Sequence, residues 1–316
     1  MNVTFQAPVI LLIFSRPAET ARALAAIRAV RPSRLFVVAD GPRPGHPDDL
    51  KACARARGVI DDIDWPCAVE RLEAPTNMGC RDRVTSGLDW AFDQVEEAVV
   101  IEDDCLPDPS FFQLCGTLLA RHRDDPRVMS IGGHRCDGPD EHDPPSYAFS
   151  RYPASWGWAT WRRAWRHNDV GLREWPRLRA TGWLESFLGD ASAVRYWRRI
   201  FDQAARGIDT WDYAWVFAHW LHEGLAIRPR VNLVQNIGFG QDATHTRDEA
   251  LDQRIEWILF SGMVRRSLIE AQARIAAASG QEAPSASAGN TPATPTRSTP
   301  PRKSPPGSPS LALRAS

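Results

Sequence analysis

Ala98-Val99-Val100-Ile101-Glu102-Asp103-Asp104-Cys105-Leu106-Pro107 is the stretch that decides the fold. Four apolar residues, three of them β-branched, predict a short buried strand. Three acids follow at once, and Pro107 predicts that no ladder continues through it. The acids therefore fall at the carboxyl end of a central strand, where open α/β sheets bind ligands. Adjacent carboxylates raise one another's pKa unless a cation lies between them. Hard divalent cations take such oxygen ligands and share them with phosphates. Two readings stand side by side: a Mg²⁺ or Mn²⁺ site holding a diphosphate, or an acidic surface turn after a strand.

Working outward, apolar runs at residues 8–14, 34–39, 67–72 and 128–131 predict further strands. Helical spacing of apolar residues predicts helices over 18–30, 49–57 and 80–95, the last opened by the turn signal Asn77-Met78-Gly79. Asp108 and Pro109 are an N-cap and a first helical residue for a helix running to about 121. Strands alternating with helices imply a mainly parallel sheet flanked by helices.

Length and composition bound the rest. The 316 residues suffice for one large domain or two small ones. A net charge of −1 gives no global basic footprint, which argues against a nucleic-acid partner. Cys53, Cys67, Cys80, Cys105, Cys115 and Cys136 form no C-x-x-C pair, so reduced thiols and a cytoplasmic location are expected. The apolar run at 9–14 is too short to span a bilayer and has no cleavage site behind it, so neither anchor nor signal peptide is expected.

Past residue 147 the pattern changes. Ten tryptophans fall between Trp156 and Trp220. Most must be core, because indoles bury large areas, yet their density also suits stacking on sugar rings. Residues 194–224 read as helical with a break near Gly207, and 225–233 as a strand with Pro229 on an edge. A loop carrying Asn236, Gly238, Gly240, Asp242 and His245 precedes a helix over 248–277. Residues 278–316 are rich in Ser, Thr, Pro and Ala and predict a disordered tail. The domain reading is therefore 1–277, divided at 146/147, plus the tail.

With the acids, the Asn-x-Gly turn and the tryptophan-rich half in view, residues 8–246 resemble a GT-A glycosyltransferase, a Rossmann-like nucleotide-diphospho-sugar transferase fold. The likeness is to bacterial family-two enzymes, and locally to animal N-acetylglucosaminyltransferases with a Glu-Asp-Asp motif. It rests on Ile101-Glu102-Asp103-Asp104 followed by Pro109, Phe111 and Phe112, with residues 10–16 and 36–41 similar to the first two nucleotide-binding strands. The resemblance implies a nucleotide-sugar donor across the strand ends and Mn²⁺ or Mg²⁺ held by Asp104. Asp103 and Glu102 would hold metal-bound water, ribose or sugar hydroxyls. The motif departs from the common Asp-x-Asp spacing, so the division among the three acids stays open.

Other donor-side residues follow from the same likeness. Ser15 and Arg16 match the loop under base and ribose. Asp40 matches an acid that meets the nucleoside, with a turn former before Gly41-Pro42 as its alternative role. Asn77 and, just after it, Arg81 and Arg83 match the diphosphate region, where a guanidinium fork fits phosphate; Arg83 could instead belong to a solvated face. His245 matches a second metal ligand from a late loop, against a plain surface histidine.

The general base should be a carboxylate among aromatics, whose desolvation raises its pKa towards the useful range. Asp212, in Trp211-Asp212-Tyr213, is the first choice. Asp209 is the rival, with a helix cap as its other reading. Trp156, Trp158, Trp161 and Trp211 are read as an acceptor or donor-sugar wall. The activity implied is inverting, metal-dependent transfer of a sugar to a hydroxyl of a carbohydrate or glycolipid acceptor, in bacterial polysaccharide or glycoconjugate synthesis. No transmembrane segment is expected, and peripheral membrane contact stays open. The rival readings are a sugar-nucleotide-forming nucleotidyltransferase and a non-catalytic carbohydrate-binding or surface-active protein.

Overall fold

A computed structural model describes residues 5–135 and 146–238. The expected helix over 248–277, the tail, Cys136, Gly240, Asp242 and His245 lie outside the described residues. The first half alternates as its apolar periods require: β1 (Val9–Ile13), α1 (Pro17–Arg28), β2 (Arg34–Ala39), α2 (Pro47–Gly58), β3 (Ala68–Glu73), α3 (Gly79–Phe92), β4 (Glu97–Glu102), β5 (Cys105–Pro107), α4 (Pro109–Arg121) and β6 (Val128–Gly132). Asp108 caps α4 by accepting the Ser110 N–H at 2.9 Å, and Pro109 takes the position whose N–H would have no partner.

The second half adds β7 (Tyr147–Ser150), β8 (Trp158–Trp161), three short helices α5 (Arg162–Trp165), α6 (Trp175–Arg179) and α7 (Trp183–Leu188), two longer ones α8 (Ala191–Ala205) and α9 (Asp212–Leu221), then β9 (Leu225–Pro229) and β10 (Val234–Asn236). The main sheet runs β3-β2-β1-β4-β8-β6-β9-β7. Strands β1 to β4, β6 and β9 run one way, while β8 and β7 run against their neighbours. This is an α/β architecture with a mainly parallel sheet. Alternate residues of β1 serve its two faces: Val9, Leu11 and Ile13 pack with α1 and α4, and Ile10 and Leu12 with α3, α5 and α9. A third core joins α6, α7, α8 and α9 around Trp175, Trp197, Phe217 and Trp220.

Two expectations need correction. Trp158-Ala159-Thr160-Trp161 is no wall of a pocket but β8, a central strand between β4 and β6, buried at every position. Four residues covered on both faces show no alternation, so periodicity could not reveal them. Pro229 does not lie on an edge strand: β9 sits between β6 and β7, and Pro229 is its last residue, opposite Tyr147. At Pro107 the ladder stops, as expected: it is the last residue of β5 in the antiparallel pair β5–β10, and the next N–H, that of Asp108, reaches Leu233 O at 2.8 Å.

Candidate functional site

β4 delivers the acids. Its last residue is Glu102, and Asp103 and Asp104 form the turn into β5. The adjacent strand β1 supplies what faces them. The Phe14 N–H donates to Asp103 Oδ2 at 3.0 Å, and Arg16, at the head of α1, donates from Nη1 to Asp104 Oδ2 at 2.7 Å with Asp103 Oδ1 at 3.5 Å. These side chains are nearly closed off, 16% exposed for Arg16, 9% for Asp103 and 19% for Asp104. Burial and the neighbouring Asp104 push the Asp103 carboxyl up to about 7, against the pull of Arg16. Glu102 is pushed well up by burial and by Asp104, Asp103 and Asp212.

The β5–β10 pair brings a later segment to the same turn. Ile237 N–H donates to Asp104 O at 2.7 Å, and a Cβ on Gly238 would collide with the Asp104 carboxylate, so only glycine fits there. The described chain thus leaves the site, at Gly238, beside the predicted metal ligand.

Asp212 is the first residue of α9, and its Oδ1 accepts the Tyr213 N–H at 3.0 Å and the Thr210 hydroxyl. Its charge acts on Glu102 and on Cys80, whose thiol is held far up by burial and by Glu102, Asp212, Asp209 and Asp104. Asp209 is held differently. Its Oδ1 accepts the Arg81 N–H at 2.8 Å, capping α3 from 128 residues away. Gly79 opens that helix at φ +81°, and a Cβ there would stand 2.7 Å from Asp209 Oδ1.

Asp40, at the end of β2, is 5% exposed. It accepts from Gly41 N–H at 2.8 Å, Met78 N–H at 2.9 Å and Asn77 Nδ2 at 2.8 Å, so it ties the β2 loop to the head of α3. Burial nonetheless raises its pKa. Arg83 is not on a solvated face: it is 7% exposed and donates to Leu72 O at 2.9 Å.

One cavity of about 720 Å³ collects these groups. Arg16, Asp40, Asn77, Arg83, Glu102, Asp103, Asp104, Trp156, Asp209, Trp211 and Asp212 all line it. Ser15 and Arg81 do not, and the Arg81 guanidinium turns to Asp82 at 2.8 Å. Trp158 and Trp161 are 0% and 1% exposed and lie in the core, the first stacked on Trp211 at 5.3 Å. His245 lies outside the described residues. Arg43, Cys80 and Thr210 also line the cavity without having been singled out from sequence. Arg43 sat in a Pro/Gly-rich loop with no pattern to flag it, whereas Thr210-x-Asp212 is a local hydroxyl–carboxylate spacing that could have been noticed.

The donor chemistry fits a hard cation: three consecutive carboxylates, two with raised pKa values, gain by sharing positive charge. Among the described residues no set of three or more His, Cys, Asp or Glu converges on one point. A cation at this turn would draw its protein oxygens from these acids and the rest of its coordination from oxygens of a bound phosphate group.

No family model matches the chain, and no curated protein matches it. Solved structures do. Mouse xyloside xylosyltransferase 1, in its apo form, aligns over 70% of this chain and 84% of its own at 10% identity and TM-score 0.37. The inositol-1-phosphate CTP transferase of T. maritima aligns over 80% and 95% at 9% identity and TM-score 0.38. A UDP-glucose pyrophosphorylase solved with UDP-glucose aligns over 71% and 90% at 8% identity and TM-score 0.33. Likenesses this distant concern the arrangement of strands and helices, and say nothing of a shared reaction.

Proposed function

We propose that the chain is a glycosyltransferase that moves a sugar from a nucleotide-diphosphate donor to an acceptor hydroxyl with inversion. The observation that carries this reading is one cavity with two facing sets of acids: Glu102, Asp103 and Asp104 at the end of β4, and Asp212 at the start of α9. The first set suits a diphosphate with its cation, and the second suits a base on the acceptor side. A Mn²⁺ or Mg²⁺ ion bound through Asp104, with His245 as the second candidate ligand, would neutralise charge on the departing diphosphate.

The chain's own groups have these tasks. Asp212 accepts the proton of the acceptor hydroxyl as that oxygen bonds to the anomeric carbon, and the bond to the diphosphate oxygen breaks with its electron pair leaving on the nucleoside diphosphate. Thr210 and the Tyr213 N–H hold Asp212 Oδ1, which orients the other oxygen. Arg16 supplies positive charge beside the phosphates. Asp40 and Asn77 shape the loop under the nucleoside end of the cavity. Trp156 is the tryptophan of the 155–161 run that lines the cavity and can stack on a sugar.

A thermal-shift series of nucleoside diphosphates with and without Mn²⁺ tests this reading, since a ligand bound only by the folded state raises apparent stability. The expected result is one preferred diphosphate whose effect needs the cation and vanishes in Asp104→Ala, with Glu102→Gln retaining part of it. No shift by any nucleoside diphosphate overturns the proposal. Release of inorganic pyrophosphate, rather than nucleoside diphosphate, in turnover would identify a nucleotidyltransferase instead.

A further inference from the structure

Behind the cavity, α9 is buried at every residue from Ala214 to Trp220, and His219 is the one titratable side chain in that stretch. It is 0% exposed, with Nδ1 2.9 Å from Trp215 O and Nε2 2.9 Å from Ser130 Oγ. A carbonyl only accepts, so Nδ1 carries the proton. Burial keeps the ring neutral, with its pKa down at about 3, so Nε2 accepts from the Ser130 hydroxyl. Ser130 reaches His219 through an irregularity in β6. Val128 stands opposite Leu225 and Ser130 opposite Ala226, so Met129 is an extra residue in the pairing with β9. In a regular strand Met129 and Ser130 would point to opposite faces. Instead Met129 packs in the core with Trp158 and Trp215 on the α9 side, and Ser130 bonds α9 on that same side. Such a bulge re-aims a side chain, here a hydroxyl whose burial would be costly without its partner.

We infer that His219 is a positioning residue: its bond to Ser130 fixes the rotation and level of α9, and with them the place of Asp212 opposite the acids of β4. Asp212 precedes His219 by seven residues, close to two full turns, so both lie on one stripe of α9 about 10 Å apart. On the sheet, Ser130 pairs with Thr160 and Thr160 with Ala98, four residues before Glu102 on β4 and about 13 Å from it. A helix pinned at the level of Ser130 therefore brings its first residue near the level of Glu102, and both line the cavity. The apolar contacts of α9 have no direction and would let it slide or roll, whereas a buried hydrogen bond has one geometry. The catalytic consequence rests on the reading of Asp212 as the base; the anchoring of α9 does not.

Two measurements on the full chain test this. In transfer kinetics, Ser130→Ala should lower kcat about tenfold or more and leave the KM for the donor within about twofold, because the groups that meet the donor lie on other elements. His219→Gln, whose amide oxygen can accept the same hydroxyl, should keep kcat within about threefold of wild type. In native-state amide hydrogen exchange, Ser130→Ala should speed exchange across residues 212–221 about tenfold more than it speeds exchange in β1 and β4. A bond that only adds stability would raise all of these rates by one factor. If Ser130→Ala does not fold, Ser130→Cys, with its weaker donor, should show the same pattern in smaller measure. Should the wild type transfer no sugar, the reading of the reaction fails, and the exchange comparison still decides the anchoring. Normal kcat in a folded Ser130→Ala, a His219→Gln variant as slow as Ser130→Ala, or exchange rising equally in α9 and β4 overturns the inference.

Discussion

Arg16 Nη1 lies 2.7 Å from Asp104 Oδ2 and 3.5 Å from Asp103 Oδ1, so a guanidinium from the turn after β1 stands between the two acids that follow β4. The place a divalent cation would take is shared with the chain's own positive charge. Arg16→Gln should therefore bind Mn²⁺ alone more tightly than wild type, on the order of tenfold, because a nearby like charge is removed. The same variant should bind a nucleoside diphosphate more weakly, having lost a phosphate partner. Calorimetric titration with each ligand separates the two effects. Unchanged or weaker Mn²⁺ binding would mean that Arg16 and the cation do not compete for Asp104.

The acids also predict a pH dependence. An unfolded aspartate titrates near pH 3.9, whereas burial and Asp104 put Asp103 at about 7 in the folded chain. Between those values the folded protein holds a proton that the unfolded chain has released. The stability this linkage contributes is fully present below about pH 4 and is lost as pH rises through about 7. Asp103→Asn cannot titrate, and its amide oxygen can still accept the Phe14 N–H. Its melting temperature should fall less than that of wild type between about pH 5 and 8. Parallel curves for the two proteins would show that Asp103 does not titrate in this window.

Asp209 and Asp212 should separate by phenotype. Asp209→Ala removes the cap on α3 and should cost about 1 kcal/mol of stability, measured by urea unfolding. Asp212→Asn should leave donor affinity near wild type and lower transfer on the order of a hundredfold or more. Transfer rates and donor affinities for both variants decide the matter. A folded but inactive Asp209→Ala beside an active Asp212→Asn would move the base to Asp209.

The tryptophans divide in the same way. Trp158 is 0% exposed and touches Trp165, Trp211 and Trp215, so Trp158→Ala should cost about 3–5 kcal/mol. Trp156 is half-buried against His134 at the cavity wall. Trp156→Ala should cost much less stability and should weaken binding of the sugar-bearing donor or acceptor more than binding of the bare nucleoside diphosphate. Equal stability losses in urea unfolding would place both rings in the core.

By itself the sequence determined the elements whose signals are local. Continuous apolar runs specify β1, β2 and β4, Asp108-Pro109 specifies the start of α4, and the order of strands and helices specifies a mainly parallel sheet with Glu102, Asp103 and Asp104 at a strand end. These follow from propensity and periodicity within ten or so residues of chain.

Tertiary structure alone decided the rest. The Arg16–Asp104 pair spans 88 residues and the Asp209 cap on α3 spans 128, and neither has a local pattern to announce it. The split of the tryptophan run into a buried strand and one cavity-lining ring depends on which strands flank β8, because an indole's chemistry is the same in either setting. Pairing of β5 with β10 joins the acidic turn to the end of the described chain through three residues on each side, too few to carry an alternation of their own. Residue type limits what a side chain can do, and long-range packing chooses its neighbours; here those neighbours make Asp209 a helix cap and leave Asp212 facing the acids of β4.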